Sequence, residues 1–480
     1  MAKDLRVLSA ADVDRISSSF LPEDLQCLMA EVFVSISRSR LAATSDSSRA
    51  RTRTRPGTQT PHRLNIAMEN HTALFMPARF CPPSSLGDQK DKLQSAGSDE
   101  TTKSSITTSM KIVSVPGSQA PREVAGAGLP ATTVILDERT GSVRAIVNAR
   151  KLTALRNAAG SLLSSTLLLS QNRGRLPKHI VAFGAGNQIE AHLELYLRFF
   201  NPPNTPECDG QKGDDESVPE GKGGVVEKCT IVNRSGNDRA KGLIGRLSSQ
   251  FEKVVFELVC SAGDSEEGVG GNAEGATATA SKESSSERVE RALRTADLVI
   301  CATSARQPLF RSEWVRDGTH IVLVGSYTPE MKEVEGRMVE RALQRKSWTD
   351  HEAGKEKSYE GSHSPASLLV DSSESCLVEA GELIEMRVKP EEMVEIGEVV
   401  PRLQDGRGVD MDALRDWIRK SIHRAARTHD QGAPSEGWDG PITVFKSVGV
   451  GLQDVVVARA VVDQAERLGM GTVVRDYDAA

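Results

Sequence analysis

The stretch HIVAFGAGNQIEAHLELYLRFF, residues 179–200, decides the fold class. It opens with a short, mostly apolar run that is typical of a buried strand. The glycines Gly184 and Gly186 follow at once, and apolar residues at helical spacing predict a helix from about Ile189 to Phe199. Glycines at such a turn let the backbone approach a pyrophosphate at the helix N-terminus. The stretch therefore predicts the start of a dinucleotide-binding, Rossmann-type sheet.

This glycine loop supplies the first candidate cofactor-binding residues. They are Gly184, Gly186, Asn187 and Gln188. The third small residue of the usual fingerprint is absent, because Ile189 stands in its place. A lone Gly-x-Gly pair is a weak signal, but a strand before it and a helix after it are the context that the motif requires.

The segment Asn233-Arg234-Ser235 follows the next predicted strand and supplies candidate residues for the adenosine ribose. Asn233 lies 49 residues after Gly184, and 26 of these residues belong to a polar insertion. Without the insertion, the spacing is close to that between the glycine loop and the ribose-binding residue of a dinucleotide fold. A carboxylate there would repel a 2′-phosphate, whereas Arg234 would pair with it. The sequence therefore favours NADP(H). NAD(H) remains possible, and a surface arginine on a βα loop is the structural alternative.

Strands and helices alternate from about residue 130 onward. Residues 131–147 predict a hairpin, and residues 151–171 predict an amphipathic helix. Further strands are predicted in KCTIVN (228–233), ADLVICATS (296–304), THIVLVGS (319–326), SLLVDS (367–372) and ITVFKSVG (442–449). Since these apolar runs do not alternate with polar residues, they predict a parallel, doubly wound sheet.

Six polar, low-complexity stretches interrupt this pattern. Such segments cannot bury enough apolar area to offset their ordering entropy, so we expect disordered surface insertions. They are residues 38–60, 82–107, 201–226, 261–287, 345–366 and 428–440. They comprise 137 of the 480 residues, and the remaining 343 are enough for two domains.

Composition excludes several classes of protein. A net charge of −6, from 66 acidic and 60 basic side chains, argues against a nucleic-acid partner. No run of 18 apolar residues predicts a membrane span, and the first residues lack the apolar segment of a secretory signal. The seven cysteines form no C-x-x-C pair and the nine histidines no ligand motif. We therefore expect a cytoplasmic protein with reduced thiols, no metal and no membrane partner.

A series of motifs in chain order resembles the ornithine cyclodeaminase/mu-crystallin family, over nearly the whole chain apart from the insertions. The N-terminal motifs are VLSAADVDRI (7–16), PHRLNI (61–66), HTALFMPARF (71–80) and TTSMKIVSVPG (107–117). The later ones are LDERTGSVRAIVNARKLTALRNAAG (136–160), AFGAGNQIEAH (182–192), ADLVICATSARQPLF (296–310), GTHIVLVGSYTPEMKEVE (318–335) and VFKSVGVGLQDVVVARAVV (444–462).

The resemblance implies an architecture. The predicted fold is α/β: a Rossmann-type doubly wound parallel sheet plus a mixed α/β substrate-binding and dimerisation domain, with several disordered insertions. The substrate-binding domain is expected over residues 1–165, completed by a C-terminal helix at 452–480, and the NAD(P)-binding domain over 166–451. A homodimer is expected.

The resemblance also implies a carboxylate-binding set. Matching positions are Arg63 in PHRLNI, Lys111 after Met110, and Arg156 in the T-x-x-R helix start. Paired cations are what a desolvated substrate carboxylate requires. Each of the three could instead be a solvated surface charge.

One position departs from the cyclodeaminases, which have a carboxylate after the V-G-x segment. Tyr327 stands in that position here, as a non-carboxylate does in the mu-crystallin-like ketimine reductases. A tyrosine, with an ordinary pKa near 10, is a poor base but a usable acid or hydrogen-bond donor. Tyr327 and Lys111 are therefore the candidate catalytic residues, and packing alone is the alternative for Tyr327.

Other matched positions are expected near the cofactor. Thr303 and Ser304 end a predicted strand, where their hydroxyls could meet ribose or phosphate, and Ser447 and Gly449 are expected near the nicotinamide. For Asp454, a site role and a charge at a helix N-terminus are equally open.

Three functions remain open on the sequence. The first is an NAD(P)H-dependent oxidoreductase that reduces the C=N bond of a carboxylate-bearing imine. The second is an ornithine cyclodeaminase, a lyase that makes proline and ammonia with bound NAD. The third is a non-enzymatic nucleotide- or ligand-binding protein. Tyr327 and Arg234 favour the first, with a small-molecule imine or amino acid as its substrate.

Overall fold

The computed structural model describes residues 4–45, 57–61, 63–82, 106–117, 121, 129–171, 176–202, 225–262, 283–343, 368–401, 409–430 and 442–478. The chain divides into two compact units. The first unit comprises Met1–Leu167, Glu395–Ser421 and Gly449–Ala480, and the second comprises Leu168–Val394 and Ile422–Val448.

A seven-stranded mixed sheet forms the centre of the first unit. Its strands are β1 (Leu5–Leu8), β2 (Leu64–Ala67), β3 (His71–Phe80), β4 (Thr107–Pro116), β5 (Ala131–Leu136), β6 (Val143–Asn148) and β15 (Thr472–Val474), in the order β15-β1-β6-β5-β4-β3-β2. The hairpin predicted over residues 131–147 is confirmed, since β5 and β6 pair antiparallel. Alternate residues of β5 are buried, which is the pattern of a sheet covered on one face.

Six helices lie or begin in the first unit. They are α1 (Ala10–Ser19), α2 (Pro22–Ser45), α3 (Leu152–Gln171), α10 (Ile396–Val399), α11 (Met411–Asp430) and α12 (Gly451–Leu468). Helix α12 packs on β3, β4, β5 and β6 and on α2. It buries a continuous apolar face and ends at Gly469, whose φ of 64° is the left-handed conformation that glycine adopts readily.

The second unit is built on an eight-stranded sheet. Its strands are β7 (His179–Phe183), β8 (Lys228–Asn233), β9 (Val255–Cys260), β10 (Leu298–Cys301), β11 (His320–Leu323), β12 (Leu368–Val370), β13 (Val394–Glu395) and β14 (Thr443–Lys446). The order is β13-β12-β14-β11-β10-β7-β8-β9, and the pairs from β12 to β9 are parallel. The chain runs outward from β7 to β9 and then returns to β10 on the other side of β7. This reversal is the topological switch point of a Rossmann-type sheet.

The helices of the second unit are α4 (Asn187–Phe200), α5 (Asp238–Gln250), α6 (Ser285–Arg294), α7 (Gly336–Leu343), α8 (Ser373–Glu379) and α9 (Gly381–Glu385). Val181 and Phe183 of β7 pack in one core cluster with residues of α6 and α7. Ile180 and Ala182 are also fully buried and, by the alternation of a strand, face the opposite side of the sheet. A central strand buried on both faces confirms the predicted doubly wound α/β fold.

The structure departs from the sequence analysis in the second unit at β9. This strand is not among those predicted, because Glu257 interrupts its apolar run. It lies at the edge of the sheet and pairs only with β8 among the described strands, so it does not need two apolar faces.

A second departure concerns Glu395–Ser421, which belongs to the first unit although the sequence analysis assigned residues 166–451 to the dinucleotide-binding domain. A Cβ at Gly397 would lie 2.1 Å from the carbonyl oxygen of Phe33, so α10 packs directly on α2. An ion pair between Arg40 and Glu398 joins the same helices. These contacts are remote in sequence and leave no local signal.

The predicted insertions fall largely outside the described residues. Some residues at the margins of these insertions are described. Residues 38–45 continue helix α2, Gln59 forms a β-bridge with Arg79, and α6 begins at Ser285. The first of these is a correction, since polar residues at 38–45 suggested an insertion where the helix in fact continues.

Candidate active site

A buried ion cluster joins three elements of the first unit. Lys111 on β4 and Arg156 on α3 both face Asp454 in the first turn of α12. The Lys111 Nζ donates to Asp454 Oδ1 at 3.0 Å, and the Arg156 Nε lies 3.3 Å from the same oxygen. All three side chains are at least 93% buried. Two cations share one carboxylate, so the cluster has a formal charge of one positive unit in excess.

Neutral acceptors supply further hydrogen bonds to the two cations. Arg156 Nη1 donates to the side-chain oxygens of Asn157 and Gln453, both at 2.6 Å, and Lys111 Nζ donates to Thr153 Oγ1 at 2.6 Å. Gly449 leaves room for the guanidinium, since a Cβ there would lie 2.5 Å from Arg156 Nη1. The cluster is thus built into the fold, and its geometry is fixed by short hydrogen bonds.

The pKa values of this cluster follow from its burial and its excess of cations. Burial lowers the pKa of Lys111, and Arg156 lowers it further against the opposing effect of Asp454. Burial alone would raise the pKa of Asp454, but Lys111 and Arg156 outweigh it and hold that pKa below its ordinary value. The two cations thus hold Asp454 in its ionised form, as their common partner.

Arg63 does not join this cluster. It precedes β2, its side chain is exposed, and among the described residues no hydrogen bond or ion pair links it to Lys111 or Arg156. The structure brings together two of the three cations predicted for carboxylate binding. The assignment of Arg63 to the substrate carboxylate stays a prediction.

In the second unit, the glycine loop has the geometry expected of a dinucleotide site. Gly184 has a φ of 110°, and a Cβ there would lie 3.3 Å from the carbonyl oxygen of Ala302. Gly186 is the N-cap of α4 and offers no side chain to the helix amides that follow, beginning with those of Asn187 and Gln188. The first turn of α4 therefore presents backbone donors to an anion.

Two arginines lie in the connection from β8 to α5 and in the first turn of α5. Arg234 is exposed in the turn after β8, where Asn233 Nδ2 donates to the backbone oxygen of Ser235 at 2.7 Å. Arg239, in the first turn of α5, places Nη2 3.4 Å from Asn187 Oδ1 and 3.6 Å from the position of a Cβ on Gly186. The sequence analysis missed Arg239 because it lies beyond the strand end, inside the next helix.

Five parallel strands of the second unit end at the same level. Phe183, Cys301, Leu323 and Lys446 are in register across β7, β10, β11 and β14, and Val370 of β12 pairs with Lys446. The predicted cofactor residues Gly184, Thr303, Ser304 and Ser447 all follow these ends, as does Tyr327. The structure thus gathers these candidates at the carboxyl edge of the sheet, where ligands bind in open α/β folds.

The carboxylate of Glu333 bridges two of these strand ends. Oε1 accepts from the backbone N–H of Thr303 (2.7 Å) and from its hydroxyl (3.0 Å), and Oε2 accepts from the N–H of Gly325 (2.8 Å). The Glu333 side chain is fully buried. A Cβ at Gly325 would lie 2.0 Å from the carbonyl oxygen of Thr303, so only glycine permits this approach. We call this the Glu333 bridge.

A buried ion pair holds the next residue, Ser326. Lys446 Nζ donates to the backbone oxygen of Ser326 at 2.6 Å and lies 3.2 Å from Glu382 Oε1. The Ser326 hydroxyl donates to the other oxygen of Glu382 in a short hydrogen bond. Lys446, Glu382 and Ser326 are all fully buried. Tyr327 follows directly and is 46% exposed, so an exposed side chain extends from a rigidly held backbone.

Asp371 links the ends of β12 and β14. Its carboxylate accepts from the Ser447 hydroxyl (2.8 Å), the Ser372 N–H (2.8 Å) and the Cys376 thiol (3.5 Å). Burial, with the adjacent Asp371, raises the pKa of Cys376 well above its ordinary value, which favours the protonated thiol. Ser447 is thereby oriented by a structural partner.

Two searches of the described residues bear on other classes of function. None of the described helices is long and apolar enough to cross a membrane. In the same part of the chain, no group of three or more histidine, cysteine, aspartate or glutamate side chains could hold a metal ion.

Comparison with known proteins agrees with the motifs. The model of the ornithine cyclodeaminase/mu-crystallin family matches residues 272–413. A Delta(1)-pyrroline-2-carboxylate reductase of Colwellia psychrerythraea is 24% identical over 337 residues, which cover 70% of this chain and 74% of that protein. Ketimine reductase mu-crystallin of Macropus fuliginosus is 23% identical over 334 residues, 69% of this chain and 68% of that protein.

Solved structures share the fold. A Thermococcus litoralis Delta(1)-pyrroline-2-carboxylate reductase in complex with NADH and L-proline superposes with a TM-score of 0.57 at 18% identity, over 97% of this chain and 99% of that one. The iminosuccinate reductase of Paracoccus denitrificans in complex with NAD+ gives 0.56 at 17% identity, over 98% and 99%. With the family match and the curated relatives, the resemblance seen in the sequence is confirmed: the chain is similar to members of the ornithine cyclodeaminase/mu-crystallin family.

Proposed function

We propose that this chain is an NAD(P)H-dependent reductase of the C=N bond in a small imine that carries a carboxylate. The observation that carries the proposal is the buried cluster of Lys111 and Arg156 against the single carboxylate of Asp454. A desolvated site with one positive charge in excess is suited to an anionic substrate group. The names of the relatives, Delta(1)-pyrroline-2-carboxylate reductase and ketimine reductase, agree with such a substrate.

The second unit is proposed to bind the nicotinamide dinucleotide. The residues fit this group: Gly184 leaves the loop without a side chain, and the first turn of α4 presents backbone donors to a pyrophosphate. We favour NADP(H), because residues 233–237 contain no carboxylate and two arginines, Arg234 and Arg239, lie near the ribose position.

Within this proposal each candidate residue has one task. Lys111 and Arg156 hold the substrate carboxylate and thereby orient the imine. The chemistry that a nicotinamide would supply when bound is hydride transfer to the imine carbon. Tyr327 donates its phenolic proton to the imine nitrogen, and water restores that proton. The product is the amine, so hydride and proton together account for the two hydrogens gained. Thr303, Ser304 and Ser447 face the dinucleotide at the strand ends.

A homodimer remains part of the proposal. Strand β2 lies at the edge of the seven-stranded sheet, and all four of its residues are exposed. Leu64, Ile66 and the adjacent Met68 are 67%, 55% and 54% exposed. An apolar edge strand of this kind is suited to association with a second copy of the chain.

The test is a substrate panel with two simultaneous readouts. Purified protein is given cyclic ketimine carboxylates with NADPH, and ornithine with NAD+, while dinucleotide absorbance and released ammonia are followed. The proposal predicts NADPH consumption with the ketimine carboxylates and no ammonia from ornithine. Ammonia from ornithine without imine reduction would favour the cyclodeaminase, and dinucleotide binding without turnover of either would favour the non-enzymatic alternative.

A further inference from the structure

The Glu333 bridge has a geometry that packing alone does not require. A single carboxylate accepts three hydrogen bonds from two strand ends, one of which precedes Ser304 while the other lies two residues before Tyr327. The two ends are as close as the backbone permits, because Gly325 has no space for a Cβ beside Thr303. A shift of either end therefore moves the other.

We propose that Glu333 is a positioning residue for imine reduction, which fixes the Tyr327 loop relative to the cofactor-facing end at Thr303. The inference rests on the proposed function, in which Thr303 faces the dinucleotide and Tyr327 donates the proton. Glu333 itself touches neither substrate nor cofactor in this account. It acts through the two backbone segments that it joins.

The Lys446–Glu382 pair supports the same loop from the other side. Lys446 Nζ and Glu382 hold the backbone oxygen and the hydroxyl of Ser326, between Gly325 and Tyr327. Gly325 and Ser326 are thus bonded to buried charged groups, while the Tyr327 side chain remains 46% exposed. A rigid backbone below an exposed side chain is the arrangement that a proton donor needs in order to meet a substrate at one fixed distance.

Only a carboxylate fills this role at position 333. Glu333→Gln has the same size but one acceptor oxygen, and its amide nitrogen would face the N–H of either Thr303 or Gly325. One of the two links is then lost. Glu335→Gln is the matched control, because Glu335 also accepts a backbone hydrogen bond, from Ser312 at 2.7 Å, but contacts neither strand end.

The first measurement is a double-mutant cycle. The variants are Glu333→Gln, Tyr327→Phe, the double variant and Glu335→Gln, and kcat and KM are measured with a ketimine carboxylate and NADPH. We expect Glu333→Gln to lower kcat about ten- to a hundredfold, with KM little changed and Glu335→Gln near wild type. In the Tyr327→Phe background the same substitution should lower kcat no further, because the residue that it positions has gone.

A merely structural role gives a different result. Glu333→Gln would then lower kcat by the same factor with or without the Tyr327 hydroxyl, or leave kcat unchanged. Either result overturns the inference, as does a wild-type kcat in Tyr327→Phe.

The second measurement does not depend on turnover. Amide hydrogen exchange is followed in peptides that contain Thr303 and Gly325. In Glu333→Gln one of these two amides should lose its protection, while the rest of the sheet and the Glu335→Gln variant exchange as in the wild type. If the wild type reduces no imine, the proposed function fails, and the bridge is then judged by exchange alone. Unchanged protection of both amides would overturn it.

Discussion

The main buried ion clusters of the two units have their charges in opposite proportions. In the first unit, Lys111 and Arg156 share the carboxylate of Asp454. In the second, three carboxylates, those of Glu333, Glu382 and Asp371, are buried with one lysine, Lys446, which pairs with Glu382. A buried charge without a partner destabilises the fold. The excess positive charge of the first cluster and the excess negative charge of the second therefore each need a compensating group.

The compensation differs, and the difference supports the proposal that the first cluster is a ligand site and the second a scaffold. The carboxylates of the second unit are met by donors of the chain itself, among them Thr303, Gly325, Ser326 and Ser447. They therefore connect strand ends. The excess cation of the first unit is met by neutral oxygens and by no second carboxylate within the described cluster. It is suited to a charge that arrives with the substrate.

The largest effect is expected from removing the excess charge of the first unit. Arg156→Leu should lower kcat/KM for a ketimine carboxylate several hundredfold, because a buried carboxylate loses a charged partner worth about 2–5 kcal/mol. Arg156→Lys should restore only part of this, since an ammonium lacks the planar fork. Steady-state kinetics and thermal unfolding are measured together.

The control for Arg156 is Arg144→Leu, which removes another arginine of the first unit, paired with Asp463 and Glu466. It should leave kcat/KM near wild type. Arg156→Leu is expected to unfold at a somewhat lower temperature, because Arg156 also compensates Asp454, although Lys111 remains beside that carboxylate. A wild-type kcat/KM in Arg156→Leu would show that the cluster is purely structural.

A smaller effect is expected at the edge of the second unit, where cations are exposed. Arg234→Ala and Arg239→Ala should each weaken NADPH binding about tenfold or more, since a hydrogen bond to a charged group contributes roughly 1.5–3 kcal/mol. NADH binding should change little. Fluorescence titration with NADPH and with NADH measures the ratio of the two affinities. Arg246→Ala is the control, because Arg246 lies on the same helix as Arg239 but is paired with Glu190. Equal affinity of the wild type for NADPH and NADH would contradict the preference.

Local signals in the sequence predicted the scaffold well. The glycine loop, the hairpin at 131–147 and the unalternated strands each depend on neighbouring residues, and each is confirmed. The hydrogen bonds and ion pairs between residues distant in sequence could not be predicted from such local signals. Glu333 meets Thr303 across 30 positions, Lys446 meets Ser326 across 120, and Lys111 meets Asp454 across 343.

One physical reason explains why these contacts were not predicted from the sequence. A charged residue in an apolar pattern looks like a surface position until its partner is brought beside it by the fold. Lys446 ends an apolar strand and has no oppositely charged neighbour at strand spacing, and Glu333 lies in a loop, where a charged residue is ordinarily exposed. Asp454 and Arg239 were obscured in a similar way, since charges in the first turn of a helix are common for other reasons.

The most direct test of the account removes the carboxylate from the substrate instead of the cation from the protein. Wild type and Arg156→Leu are each given Delta(1)-pyrroline-2-carboxylate and 1-pyrroline, which lacks the carboxylate, and kcat/KM is measured with NADPH. The account predicts that the wild type prefers the carboxylate by several hundredfold, about 2–5 kcal/mol, and that Arg156→Leu loses most of this preference. If both proteins discriminate between the two imines to the same extent, the buried cations of the first unit do not bind the substrate carboxylate.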